Sequence, residues 1–270
     1  MCSADPPPSS APRPTPESDW RAFRARLIAG NAGTPPSPHP PAAWAHTLPS
    51  PEVGAVLLPT PGTFSAVGGQ AYFDRAALLL LGHGDGGSWG VMLDRPLAST
   101  LGQALRGGGE ALVGAAAAAA PLYLGGDVHT DAFFWLRWGD EAGGGAERGG
   151  EGGDGGDGGD DASQGGGRLG KEVLPGLWVS PVSLGGNGAA DAATGRVVRG
   201  CAGWGDGQLQ SEVDRGVWVV AACNGPALWG GGQEGMGRVA GHLAAADAPA
   251  GGEWAAAAAA DEEGRGGGQA

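Results

Sequence analysis

Apolar residues fall along this chain in short runs, each stopped by glycine, proline or charged residues. Val53 to Leu58 is closed by Pro59 and Pro61, and Ala76 to Leu81 leads into Gly82 to Gly87. Then come Ser88 to Leu93, Pro121 to Leu124, Ala132 to Trp138 and Leu177 to Val182. Runs of this kind, bounded by turn formers, have the length of buried strands. The stretch from Gly200 to Trp218 organises the rest. Val197 and Val198 lead into it, glycines 200, 203, 205 and 207 surround Trp204, and Gln208 to Asp214 follow helical spacing before Gly216. Leu209 and Val213, four apart, can seat that helix on a core. Val217 to Val220 then restarts an apolar run, so the pattern predicts strand, glycine turn, short helix and strand.

Helical periodicity is confined to a few other places. Ser18 can cap a helix of about 18–29, in which Trp20, Phe23 and Leu27 share a face and Gly30 is a stop. Arg21, Arg24 and Arg26 lie mainly away from that face. The amphipathic pattern predicts that the apolar side docks on the body; a targeting or membrane-surface helix is the functional alternative. Ser99 or Thr100 can begin a short helix to Leu105 and Arg106. Pro226 to Trp229 and Met236 to Leu243 suggest a terminal helix or two.

Composition narrows the folded part. With Gly 57 and Pro 21 in 270 residues, low-complexity segments are expected. Residues 1–45 form a Pro-rich N-terminal extension carrying the one helix. Residues 139–170 hold 16 glycines and eight acidic residues, and with no apolar face they are expected to be a disordered insertion. Residues 246–270 form an Ala/Gly/acidic tail, expected to be disordered too. A single domain over 46–245, interrupted by the insertion, remains.

The net charge of −13 sits mostly in the biased segments: residues 139–167 carry −7 and residues 246–270 carry −4. The body is near neutral, with Lys171 its one lysine, so direct nucleic-acid binding is not expected. Three cysteines without Cys-x-x-Cys spacing (Cys2, Cys201 and Cys223) argue for a reducing compartment. No apolar run is long enough for a transmembrane helix.

Candidate chemistry is sparse. Gly82-His83-Gly84-Asp85-Gly86-Gly87 fits G-x-G-x-x-G, but a dinucleotide site needs a helix to start there, and Trp89 to Leu93 reads as a strand. A hairpin loop is the better reading. His83, His129, Cys201 and Cys223 have no metal-ligand spacing. Neither a nucleophile elbow nor a P-loop is present. Asp94-Arg95 before Pro96 is expected to cap the next turn or form an ion pair. Most of the tryptophans (Trp89, Trp135, Trp178, Trp204, Trp218, Trp229) are expected in the core, some flooring a pocket.

An ordered set of motifs resembles the AlgH/YqgE family. Glu52 to Leu58 looks like its opening strand, and Tyr72-Phe73-Asp74-Arg75-Ala76-Ala77-Leu78 like the segment before its second strand. Gly90-Val91-Met92-Leu93-Asp94-Arg95-Pro96-Leu97 is similar to its Gly-hydrophobic-Asn-Arg-Pro-Leu motif. Pro121 to Val128, with Gly125-Gly126-Asp127-Val128, resembles its Gly-Gly-Pro-Val motif, and Gly200 to Trp218 its Gly-Tyr-Ala-Gly-Trp and Gly-Gln-Leu-Glu-x-Glu signature. The chain departs from the pattern at Asp94 (usually Asn), Asp127 (Pro), Cys201 (Tyr), Gln210 (Glu) and Arg137 (often His). Asp19 to Leu27 and Trp44-Ala45-His46 resemble the extension of plant-type, often plastid, members. The resemblance implies an α+β fold, a curved barrel-like mixed β-sheet with peripheral helices in a single domain. It implies no catalytic residues, although some bacterial members are called transcriptional regulators.

The expectation is a non-enzymatic binding or regulatory protein. Its groove for a protein partner or small ligand would be formed by Asp94, Arg95, Asp127, Trp204, Gln208 and Glu212. No catalytic residue, metal or cofactor is assigned. An enzyme with a dispersed polar site (Asp94, Arg95, Asp127, Gln208) and a transcriptional regulator by family analogy are the alternatives. The expected location is chloroplast or cytoplasm.

Overall fold

The structure is a computed structural model that describes residues 16–30, 42–64, 70–105, 111, 113–138, 170–182, 195–229 and 239. The Pro-rich start (1–15), the linker 33–41, nearly all of the insertion 139–170, the tail 246–270 and the expected helix 236–243 apart from Val239 lie outside them.

Among the described residues eleven strands form one sheet. They are β1 Ala45–Leu48, β2 Val56–Pro59, β3 Leu78–Gly84, β4 Gly87–Met92, β5 Pro96–Thr100, β6 Pro121–Leu124, β7 Val128–Trp138, β8 Lys171–Leu174, β9 Leu177–Pro181, β10 Gly195–Trp204 and β11 Trp218–Cys223. The main path runs β1-β11-β2-β3-β4-β10-β7-β9-β8, with β6 on β10 and β5 on β6. Every pairing is antiparallel except β6 with β10, which makes the sheet mixed. Among the described residues five helices are peripheral: α1 Pro16–Gly30, α2 Leu101–Ala104, α3 Ala115–Ala118, α4 Gln208–Asp214 and α5 Gly225–Trp229. The α+β, single-domain expectation holds.

The expected barrel-like curvature takes the form of an open sheet packed on itself. Its end strands β1 and β8 are not paired with each other, yet Ala45 of β1 and Leu174 of β8 share one core cluster with Val56, Leu79, Val91, Leu136 and Val198. The backbone of Gly54 approaches β8 so closely that a Cβ there would lie 2.7 Å from the Val173 carbonyl oxygen. The opposite face buries Leu57, Leu78, Leu80, Met92, Trp204, Leu209 and Trp218. A third cluster lies where α2 and α3 cover β6.

Strand β10 joins the two parts of the sheet. Its first half pairs with β7 and β6, its last three residues with β4. The switch falls at Gly200 (φ +72), beside a register shift between Arg199 and Cys201. There β6 hands over to β7 through Gly125 and Gly126, where any Cβ would overlap β10 backbone. The Gly-Gly pair is therefore required by close backbone approach.

Most expected elements are present. The G-x-G-x-x-G segment is the β3–β4 hairpin, with Gly84 paired to Gly87. Thr100 caps α2 through a reciprocal capping box with Gln103. The short strands β1, β5 and β8 are not evident from the sequence pattern, since each has few apolar positions of its own.

Helix α1 corrects one expectation. Its apolar side does not dock: Trp20 is 56 % exposed, Leu27 49 % and Phe23 40 %, while Ala25 is buried. The contacts to the body run instead through the arginines. Arg24 Nη2 donates to Glu52 Oε1 (2.7 Å), Arg21 Nε lies 3.3 Å from the same oxygen, and Arg21 Nη2 donates to the Val53 carbonyl. Spacing defined the helix face but not the side presented to the body, because Glu52 and the carbonyl of Val53, in the turn before β2, await the guanidinium groups. Urea unfolding should therefore show Glu52→Ala costing about 1 kcal/mol, as two partly screened ion pairs and their hydrogen bond are lost. Trp20→Ser should change stability by less than about 0.5 kcal/mol.

Candidate functional site

Trp204, the last residue of β10, lies on the sheet face that also carries Trp218 of β11. Gly207, left-handed at φ +66, starts α4 and aims its second turn back at both indoles. Glu212 Oε2 accepts from Trp204 Nε1 (2.9 Å) and from Trp218 Nε1 (2.7 Å). Gln208 Nε2 donates to Glu212 Oε1 (2.9 Å), and Gln208 Oε1 accepts from the Gly205 amide (2.9 Å). The indoles meet edge to face, 6.0 Å apart at 82°. Phe64 and Phe73 complete the aromatic group around Trp218. Leu209 is buried and Val213 half-buried beneath α4, as the spacing predicted.

The second part is the corner between β4 and β5. Asp94 Oδ1 accepts from the Ala77 amide (3.3 Å), and Asp94 Oδ2 lies 3.5 Å from Arg95 Nη1, the expected ion pair. Arg95 Nε donates to the Tyr72 carbonyl (3.2 Å) and its Nη2 to the Asp74 carbonyl. Tyr72 Oη donates to Asp127 Oδ2 (2.6 Å). Burial and the nearby Asp127 carboxylate hold the Tyr72 phenol protonated well beyond its ordinary range. Arg196 donates to the Leu93 carbonyl and stacks on Tyr123 and Trp229, each 4.7 Å away.

Five of the six expected residues therefore form two groups, and Tyr72, which the sequence pattern did not single out as a site residue, joins these groups and the sixth, Asp127. Trp204, Gln208 and Glu212 make one, and Asp94 with Arg95 the other. Tyr72 bonds Arg95 and Asp127, and its ring packs on Phe73, 4.5 Å away, which meets Trp218. A tyrosine beside a phenylalanine before an apolar run was the available signal, but nothing in the spacing ties it to position 127. Glu212 is also more architectural than expected, since three donors occupy its carboxylate.

Burial raises the Asp94 carboxyl above its ordinary value, against the opposing pull of Arg95, the Ala77 amide and Arg196. A folded value above the unfolded one means that the fold holds this proton more tightly. That contribution is complete below the ordinary carboxyl range and is lost as pH rises through the folded value. Asp94→Asn keeps an acceptor for Ala77 but does not titrate. Urea unfolding from pH 3 upwards should show wild type losing ground to Asp94→Asn as pH rises from the ordinary carboxyl range to the raised folded value, and no further change above it.

Other candidates stand apart. His83 Nδ1 lies 2.8 Å from Ser88 Oγ across the hairpin. Cys201 and Cys223 are buried, and burial raises both thiols, Cys223 to about 12. Among the described residues no three His, Cys, Asp or Glu side chains gather as a metal site. Trp135, Trp204 and Trp218 are buried as expected, but Trp89 is 36 % exposed beside Phe134. A depression of about 550 Å³ lies elsewhere, between α2 and α3, lined by Thr100, Gln103, Gly114 and alanines.

Comparison with known proteins agrees with the motifs. The AlgH-like family model (DUF179) matches residues 66–236. A UPF0301 protein of Myxococcus xanthus is 30% identical over 165 residues, 60% of this chain and 76% of the relative. The UPF0301 protein SPO0296 of Ruegeria pomeroyi is 27% identical over 202 residues, 72% and 92% of the two chains. Among solved structures, the AlgH protein from Pseudomonas aeruginosa matches 66% of this chain and 82% of its own, at 23% identity and a TM-score of 0.42. Protein DIP2367 from Corynebacterium diphtheriae covers 64% and 76%, at 20% identity and a TM-score of 0.43. With more than half of its length matched by the family model, this chain belongs to the AlgH-like family, whose function is uncharacterised.

Proposed function

We propose that this chain is a non-enzymatic binding or regulatory protein. Its recognition face would be formed by Asp94, Arg95, Asp127, Trp204, Gln208 and Glu212, and would take a protein partner or a small ligand. The observation that supports this reading is how the polar groups are spent. Glu212 is held by three donors, Arg95 by two carbonyls, and Asp127 by Tyr72. A fixed polar surface over buried aromatic rings, with Gln208 and Asp127 exposed on it, suits recognition more than bond making. The test is affinity capture with wild type, Gln208→Ala and Asp127→Ala. Both variants are expected to stay folded and to lose a partner held by wild type; if both keep every partner, the face is misplaced.

Buried Asp94, with its raised carboxyl, favours the second reading, an enzyme using Asp94, Arg95, Asp127 and Gln208. Family analogy with proteins called transcriptional regulators is a third. The near-neutral body argues against direct nucleic-acid contact, so no salt-dependent binding to duplex DNA is expected. None of the described helices is long and apolar enough to cross a membrane. The plant-type extension motif supports placing the protein in a chloroplast, with the cytoplasm as alternative; the Myxococcus and Ruegeria relatives are bacterial.

A further inference from the structure

Residues 70–75 form a short segment whose Phe73 packs against Trp218 and Phe64. At its centre is the 3-10 turn Ala71–Phe73, whose Phe73 ring is buried against Trp218, 5.7 Å away and edge-on. The segment's amides bond within itself, Phe73 to the Gln70 carbonyl and Asp74 to that of Ala71. Side chains tie it to the body. Arg95 grips the carbonyls of Tyr72 and Asp74, and the Tyr72 hydroxyl reaches Asp127, 55 residues away in sequence. The segment ends at Arg75, a non-glycine residue at φ +54, a backbone conformation that side chains disfavour. A stretch held by side chains over an aromatic group, and strained at one end, belongs to the part of a fold that opens locally at least cost.

We infer that residues 70–75 are a strap latched by the Tyr72–Asp127 hydrogen bond, and that release of this latch lifts Phe73 and uncovers Trp218. Arg95 is then the hinge-side grip, holding the strap near its strained end. The strap would control access to the proposed recognition face. The inference is independent of what binds there, because its test reads opening of the free protein and involves no partner.

The experiment compares full-length wild type, Tyr72→Phe, Asp127→Ala and the double variant. Hydrogen exchange is followed by mass spectrometry, with hydroxyl-radical footprinting of Trp218 alongside. Tyr72→Phe removes one oxygen from a half-buried ring, so the variant is expected to fold. Loss of the latch should speed exchange in 70–75 by about tenfold, the range expected for one partly screened hydrogen bond to a charged group. The double variant should be no faster than either single one. Trp218 labelling should rise several-fold in step, with exchange in β2 and β3 unchanged. Unchanged exchange in 70–75 overturns the inference, as does faster exchange without added labelling of Trp218. A rise spread equally through β2 and β3 would make the bond general support for the fold and also overturn it.

Discussion

Replacing Glu212 by alanine is expected to lower the unfolding free energy by about 3–5 kcal/mol. The carboxylate is the acceptor for both indole N–H groups, and Trp204 and Trp218 are only 7 % and 3 % exposed. Hydrogen bonds to a charged group contribute roughly 1.5–3 kcal/mol each, and a buried donor left without a partner costs roughly 1–3 kcal/mol. Two such donors are orphaned at once, and Gln208 loses its partner as well. Glu212→Gln separates the causes. One carboxamide oxygen can still face the two indoles, so that variant should lose only about 1–2 kcal/mol, for the charge and for the clash of its amide with Gln208. Urea denaturation measures both. A Glu212→Ala loss below about 1 kcal/mol would mean that water reaches the indoles and that Glu212 is not the keystone of this group.

Gly126→Ala should be at least as damaging. A Cβ at that position would overlap the carbonyl of Cys201 and the amide nitrogen of Ala202. These atoms cannot retreat easily, because β10 is paired with β7 on one side of this point and with β4 on the other. The substitution is expected to cost more than about 4 kcal/mol, the range reserved for clashes that a core cannot relax. Low soluble yield or loss of a cooperative thermal transition is the readout. Gly84→Ala is the matched control. It belongs to the G-x-G-x-x-G segment, has nothing within 4 Å of the added Cβ, and should stay within about 0.5 kcal/mol of wild type. Equal tolerance of both changes would show that the β6–β7 crossover is looser than its backbone contacts imply.

The strands were legible where the apolar run supplied its own signal, as in β3, β7 and β11. The glycine turn and α4 were legible too, since left-handed Gly207 and the four-residue step from Leu209 to Val213 are local matters. Strands β1, β5 and β8 were not, because a short edge strand owes its conformation to its neighbour's hydrogen bonds more than to its own side chains. The candidate site divides in the same way. The Asp94–Arg95 ion pair joins adjacent residues and could be foreseen. The Tyr72–Asp127 bond and the docking of Trp218 on Glu212 depend on where β11 and the β6–β7 crossover come to lie.

By itself, the sequence determined the family, the succession of strands, the turn around Trp204 and the apolar underside of α4. These rest on periodicity and on glycine's backbone freedom, which act over a few residues. Only the tertiary structure decided that Glu212 holds two indoles, that Tyr72 bridges the two polar groups, and that α1 docks through its arginines and leaves Trp20 outside. Each of those outcomes depends on which partner waits across the fold, and a one-dimensional pattern carries no record of the partner. In the stretch from Gly200 to Trp218, Trp204 and Glu212 lie eight residues apart, yet the second indole on that carboxylate is delivered by β11 only after the chain has turned at Gly216.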